Sequence, residues 1–304
     1  MTSEMQRPPI EIYSANGNLF DQSTLITALL PAHGLVDMIK EAGYTGFEWH
    51  PLRGLVGAEQ LNRGLVSRYV TDAIGSLHQS YRGEANLGEA WRHPNRKLAM
   101  ISYALLPERI ASLDDLEKIQ QIVGRELPIV LYPSRPDEES GTSRPFTQKM
   151  FQPSSDVMQQ WGVHTAGELI NETYRRGYTG FCLDLLHMRR EAIDDVGLSL
   201  WQETLPELLP HTQEIHISAG RFDQAQIPVD SQQELQDLMA GRGDSDLLRM
   251  LEEVRESGWS GRVVTEIPAA SLRSLRSPRS PFSSIKDLVD DHKRIVGNVQ
   301  DILS

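Results

Sequence analysis

The sequence predicts one α/β domain, residues 1–304, whose parallel strands close into a (β/α)8 barrel, and three observations predict it. The pentapeptide Gly-Tyr-Thr-Gly-Phe occurs at 43–47 and again at 177–181, with a blurred third copy, Gly-Trp-Ser-Gly-Arg, at 258–262. Each copy follows a stretch of helical periodicity and precedes a short strand-like run. Four further strand-like runs bring the total to seven, separated mostly by helical patterns, and such alternation belongs to parallel sheets.

Before the first copy, Leu35, Met38, Ile39 and Ala42 share one helical face. Ala166, Leu169, Ile170 and Tyr174 do so before the second, and Leu247, Leu251 and Val254 before the third. Gly43, Gly177 and Gly258 then stand where a helix end calls for a left-handed residue, and the aromatic residue after each can fold back on the helix. The phrase is therefore a helix stop. The strands it feeds are FEWH (47–50), FCLDLL (181–186) and RVVTEI (262–267). The others are IEIYS (10–14), IGSLHQS (74–80), LPIVLYP (127–133) and EIHIS (214–218).

At about 40 residues per βα unit, the first two copies stand three units apart and the last two stand two apart. Closure at eight strands requires one more, expected between Tyr81 and Leu127 around residues 104–110. An open doubly wound sheet is disfavoured, because no Gly-x-Gly-x-x-Gly follows the first strand.

Composition narrows the function. At 39% hydrophobic and 24% charged, with no apolar run of membrane-spanning length and no signal-like start, the chain is expected to be cytoplasmic. Its net charge of −12 disfavours nucleic acid as a partner and leaves a small-molecule substrate. A single cysteine, Cys182, excludes an intrachain disulfide and any thiolate-rich metal site. Trp161, Trp201 and Trp259 could serve helix packing or the contact of a homo-oligomer, with core packing the expected use.

Three polar segments, 133–156, 219–244 and 268–284, each follow a strand and so belong at the face where barrels keep their chemistry. The strand ends reaching that face carry Glu48 and His50, His78, Tyr132, Asp184 and His187, His216, and Glu266. Ionisable groups pointing at a common axis are costly unless paired or bound to a cation. Two acids and two histidines suit Mn²⁺, Co²⁺, Zn²⁺ or Mg²⁺.

The order of these residues resembles the xylose-isomerase-like TIM barrel superfamily, which includes D-tagatose 3-epimerase-type sugar epimerases, inosose dehydratases and apurinic endonucleases. It runs from Glu in GYTGFEW through His in LHQSY, Asp-x-x-His in LDLLH and His in EIHIS to Glu in VVTEIP, across roughly residues 10–300. The resemblance implies a divalent metal held by Glu, Asp, His and Glu of successive late strands, with Asp184, His216 and Glu266 in the last three places. The first glutamate is missing from LPIVLYP, where Leu131, Tyr132 and Pro133 occupy the eligible positions. The family's frequent His-x-x-Asp is also absent, since Ile-Ser-Ala follows His216.

In the epimerases, paired metal-bound glutamates remove and return a proton alpha to a carbonyl. The resemblance thus implies an isomerase or epimerase of a small polyhydroxylated or carbonyl substrate. Glu266 would be the base, His187 and His78 orienting groups or acids, His50 and Tyr132 substrate contacts, and Arg221 a holder of a substrate oxygen. Either Glu48, His187 or a carboxylate at 137–139 replaces the lost ligand, or the metal is weakly bound or absent. Three alternatives stay open: metal-independent His/Glu chemistry, an apurinic-endonuclease-like hydrolase with a basic loop at Arg273, Arg276 and Arg279, and a non-catalytic metabolite-binding barrel.

Overall fold

A computed structural model describes residues 10–15, 31–49, 65, 67–78, 120–131, 148–153, 155–190, 201–219, 230–267, 272, 275 and 285–304. Eight parallel strands close into a barrel in sequence order: β1 (Glu11–Ala15), β2 (Gly46–Trp49), β3 (Ile74–His78), β4 (Ile129–Leu131), β5 (Lys149–Phe151), β6 (Gly180–Asp184), β7 (Thr212–Ser218) and β8 (Arg262–Glu266). β8 pairs with β1 through Glu11↔Arg262 to Ser14↔Thr265, which closes the ring.

All seven strands expected from the sequence are present, and the eighth is not where it was expected. β3 pairs directly with β4 through Leu77↔Ile129, so no strand intervenes between Tyr81 and Leu127 in the barrel. Residues 104–110 lie outside the described residues. The eighth strand is β5, inside the segment 133–156 that reads as one long loop. It pairs with β4 on one side and β6 on the other. Three residues led by a lysine give almost no strand signal by themselves. The first two copies of the repeated phrase accordingly lead into β2 and β6, four units apart instead of three.

The phrase acts as read. Helices Ala32–Glu41, Ala166–Arg175 and Asp246–Glu256 precede the three copies, and Gly43, Gly177 and Gly258 have φ of 91°, 81° and 72°. The backbone N–H of Tyr44 reaches back to the Ile39 carbonyl at 3.2 Å, and that of Tyr178 to the Thr173 carbonyl at 3.2 Å. The second helix also starts on a capping box, with Thr165 accepting from the Glu168 backbone and Glu168 accepting from that of Thr165. Tyr174, counted on the apolar face of that helix, is instead 44% exposed and hydrogen-bonds His211.

Alternation along the strands divides the molecule into an outer apolar layer and a polar interior. Phe47, Leu77, Phe151, Phe181, Leu183 and Ile215 join the large cluster packed beneath the helices. Residues of the opposite parity form small separate clusters inside the ring, Tyr13–Ala15–Val264 and Val130–Met150–Cys182. These three tryptophans pack within the chain: Trp161 stacks on Phe151 with ring centroids 4.6 Å apart, Trp201 is buried, and Trp259 donates to the Thr212 carbonyl at 2.8 Å.

The helix Ile285–Leu303 closes the outer layer with a buried polar contact. Tyr44 Oη lies 2.7 Å from Thr265 Oγ1 and 2.8 Å from His292 Nδ1. Burial lowers the His292 pKa to about 3, so the ring is folded in its neutral form. An unfolded histidine takes a proton near pH 6.5, and the folded one does so only near 3. The unfolded chain therefore binds more protons between those values, and stability falls as pH drops through that window. His292→Gln, which keeps a partner for Tyr44 but cannot protonate there, is expected to lose about 2 kcal/mol of the fall between pH 6.5 and 4.5, measured by urea unfolding. A second expectation concerns Gly75, where an added Cβ would lie 2.4 Å from the Tyr13 ring. Gly75→Ala should cost about 1–3 kcal/mol by overpacking, whereas Gly177→Ala, with open space around it, should cost only the left-handed strain of about 1–2 kcal/mol.

Candidate active site

The inward positions of β6, β7 and β8 bring Asp184, His216, Ser218 and Glu266 together at the C-terminal end of the barrel. Register sets Asp184 beside His216 and Ser218 beside Glu266. Ser218 Oγ lies 3.2 Å from Asp184 Oδ2 and 3.0 Å from Glu266 Oε2, so its one O–H bridges the two acids by donating to either in turn. Asp184 Oδ1 accepts the backbone N–H of Leu186 at 2.8 Å, which fixes its carboxylate at the start of the helix Leu185–Arg190. His216 Nδ1 faces Glu266 Oε1 at 3.5 Å.

The other edge of the same ring looks into the barrel. His216 Nε2 lies 3.2 Å from Glu214 Oε1 and 3.3 Å from Glu48 Oε2, and all three side chains are fully buried. Ser76 Oγ donates to Glu48 Oε2 at 3.3 Å, and Arg262 Nε donates to Glu214 Oε2 at 3.1 Å. A second histidine, His78, lies with its ring centroid 5.5 Å from that of His216. Its Nε2 is 2.7 Å from Gln152 Oε1.

Electrostatics follow from this geometry. Burial pushes the His216 imidazole down, but Cys182, Glu48 and Glu266 around it more than reverse this and raise its pKa well above the usual value. The Cys182 thiol is itself pushed up by burial and stays protonated at neutral pH, so the carboxylates supply the field. Burial and the nearby Glu48 charge raise Glu214, against the opposing pull of His216 and Arg262.

One ligand atom from each of Asp184, His216 and Glu266 lies within 4.8 Å of the others, and His216 Nδ1 has no hydrogen-bond partner among the described residues. Two carboxylates and an imidazole nitrogen with this spacing fit a divalent cation. Two deeper groups share His216, namely Glu48 with His78, and Cys182 with Glu214.

The structure thus brings Asp184, His216 and Glu266 to one point, with Glu48 and His78 near them but deeper. Glu48 meets the Nε2 edge of His216, so it stands beneath the cluster and not beside Glu266. His187 falls on the helix Leu185–Arg190, and its side chain lies outside the described residues, as do His50, Tyr132, Arg221 and the loop arginines Arg273, Arg276 and Arg279. The position of the absent glutamate is corrected by β5. The strand preceding the aspartate-bearing β6 is β5, not β4, and the buried residue at its end is Gln152. A neutral amide, and not Tyr132, therefore holds the place where the resemblance implies an acid. Sequence reading also missed Glu214, Ser218 and Arg262. Each stands two or four residues from His216 or Glu266 on the same strand, so inward parity was the signal for all three.

These features give the chain the architecture of a closed (β/α)8 barrel. It is similar in structure to a xylose isomerase domain containing protein from Salmonella typhimurium LT2, at a TM-score of 0.51 and 14% identity over 96% of this chain and 98% of that one. It is likewise similar to an L-ribulose 3-epimerase, at a TM-score of 0.51 and 13% identity over 97% and 94% of the two chains. No protein-family model matches the sequence, and no curated protein matches it either. Among the described residues no helix is long and apolar enough to cross a membrane.

Because three carboxylates surround one buried imidazole, removing the imidazole leaves them facing each other. His216→Ala is expected to destabilise the fold by about 3–5 kcal/mol, the cost of breaking a buried ion pair from one side, as read by urea denaturation.

Proposed function

We propose that the protein is an isomerase or epimerase of a small polyhydroxylated or carbonyl substrate, acting by proton abstraction alpha to a carbonyl and assisted by a divalent cation. The observation that carries this reading is the convergence of Asp184, His216 and Glu266 on one point at the ends of three consecutive strands. Oxygen and imidazole donors suit Mn²⁺, Co²⁺, Zn²⁺ or Mg²⁺. Bound there, such an ion would polarise a substrate carbonyl and acidify the adjacent C–H bond.

Glu266 is the base in this reading. Its side chain is 17% exposed where that of His216 is 0%, so it is the member of the set that a substrate reaches. Ser218 holds one of its oxygens, which fixes the plane of the carboxylate toward the mouth. Asp184 is held by the Leu186 backbone and by Ser218, an arrangement suited to a ligand and not to a proton carrier. His78, oriented by Gln152, is the group proposed to carry the second proton. A cytoplasmic enzyme with a small-molecule substrate and no nucleic-acid partner accords with the net charge of −12.

One observation favours a second reading. Gln152 cannot serve as the other carboxylate of a two-glutamate pair, so metal-independent chemistry with Glu266 and His78 also accounts for the site. Proton exchange separates the two. Incubated in D₂O with a panel of ketoses and keto-sugars, the protein should wash deuterium into the alpha position of at least one, read by proton NMR. Glu266→Gln should slow that exchange by about 100-fold or more. Chelation should abolish it under the first reading and leave it unchanged under the second. Absence of exchange across the panel would overturn both.

A further inference from the structure

His216 has two edges, and the functional reading uses only one of them. On the Nε2 edge stand two fully buried carboxylates, Glu214 at 3.2 Å and Glu48 at 3.3 Å. Of these, the Glu214 contact has the geometry of a hydrogen bond. Each oxygen of Glu214 has its own partner, since Oε1 meets His216 and Oε2 takes the Nε–H of Arg262 at 3.1 Å. Arg262 is tied in turn to the opposite wall of the barrel, where its guanidinium donates to the Gly75 carbonyl at 3.3 Å. A guanidinium only donates, so the carboxylate it holds must accept. The acceptor left for the imidazole then calls for an N–H at Nε2, so that when a cation displaces the other proton the lone pair of the ring opens at Nδ1. That nitrogen has no hydrogen-bond partner among the described residues and faces the side where Asp184 and Glu266 converge.

We propose that Arg262 and Glu214 are a positioning pair that keeps the His216 proton on Nε2 and so presents the Nδ1 lone pair to a cation shared with Asp184 and Glu266. The proposal rests on the cation reading of the site. Neither residue touches substrate. Their effect passes through the ring, as outer partners of metal-binding histidines generally act. The pair also explains why an arginine and a glutamate are kept inside the barrel at all, because each satisfies the other and both face groups that need them.

The test is a substitution that keeps shape and changes only the direction of one hydrogen bond. In Glu214→Gln the amide oxygen turns to Arg262, since the guanidinium cannot accept, and the amide NH₂ then faces His216 Nε2. Two donors cannot meet, so the ring is driven to carry its proton on Nδ1, the form that cannot ligate. Titration calorimetry with Mn²⁺ and with Zn²⁺ should show binding weakened by about 10- to 100-fold, with far-UV circular dichroism unchanged. Glu214→Asp, which keeps two accepting oxygens, should recover part of the loss. Glu48→Gln, equally buried and equally near the ring, should cost less than about threefold because the N–H is not aimed at it.

Should Glu214→Gln fail to fold, Arg262→Gln tests the same pair from its other end and should weaken binding by about 10-fold. The proposal is overturned if Glu214→Gln binds both ions within about threefold of the unaltered protein, or if Glu48→Gln costs as much as Glu214→Gln. If the unaltered protein binds neither ion while Glu214→Gln folds normally, the cation reading itself fails, and the role of the pair toward a cation fails with it.

Discussion

His216 is fully buried on β7 with carboxylates within 3.5 Å of both its ring nitrogens, and the polar interior of the barrel is organised around that contact. A carboxylate alone at such depth would be protonated or would not be there, because the cost of removing it from water is several kcal/mol. The imidazole offsets that cost for Glu48 and Glu214 on one edge and for Glu266 on the other. Ser76, Ser218 and Arg262 supply further donors. The result is two levels joined by one ring: a lower level where Glu48 and Glu214 are fully buried, and an upper level at the mouth where Glu266 is partly exposed.

The division into levels comes from strand parity, and parity also governs what could be read in advance. The repeated Gly-Tyr-Thr-Gly-Phe phrase announced three strands, since a left-handed glycine and a back-folded aromatic end a helix in a way that sequence records directly. That fixed Glu48, Asp184 and Glu266. β5 was illegible for a physical reason. Its three residues are held by pairing on both sides and not by any preference of Lys-Met-Phe for the extended state. Missing it displaced the search for the fourth ligand by one strand, onto Tyr132 instead of Gln152.

Glu214, Ser218 and Arg262 escaped attention for a different reason. Barrel chemistry sits at the ends of strands, whereas these residues matter through what they do to the ones beside them. Glu214 reads as an ordinary acid at the start of EIHIS. Its place two residues before His216 already put both on the inward face, so period-two counting would have recovered it. Its partner could not have been recovered that way, because Arg262 is 48 positions away and meets it only when β7 and β8 lie side by side.

Charge bookkeeping inside the ring gives Gln152 a physical reason. Among the described residues Glu48, Glu214, Asp184 and Glu266 oppose only Arg262 and a His216 whose proton is itself drawn there by the acids. A divalent ion at the mouth would bring the set close to balance. A further carboxylate at 152 would restore an excess of negative charge in a region where Glu48, Glu214 and His216 are fully buried and screening is weak. The interior beneath the mouth has little capacity for further negative charge. Here Glu214 and Glu48 already occupy it, and a neutral amide that hydrogen-bonds His78 keeps a polar group at the end of β5 without adding to the charge. The neutral amide at 152 and the acids below it are on this argument one electrostatic arrangement, made at two heights of the same barrel.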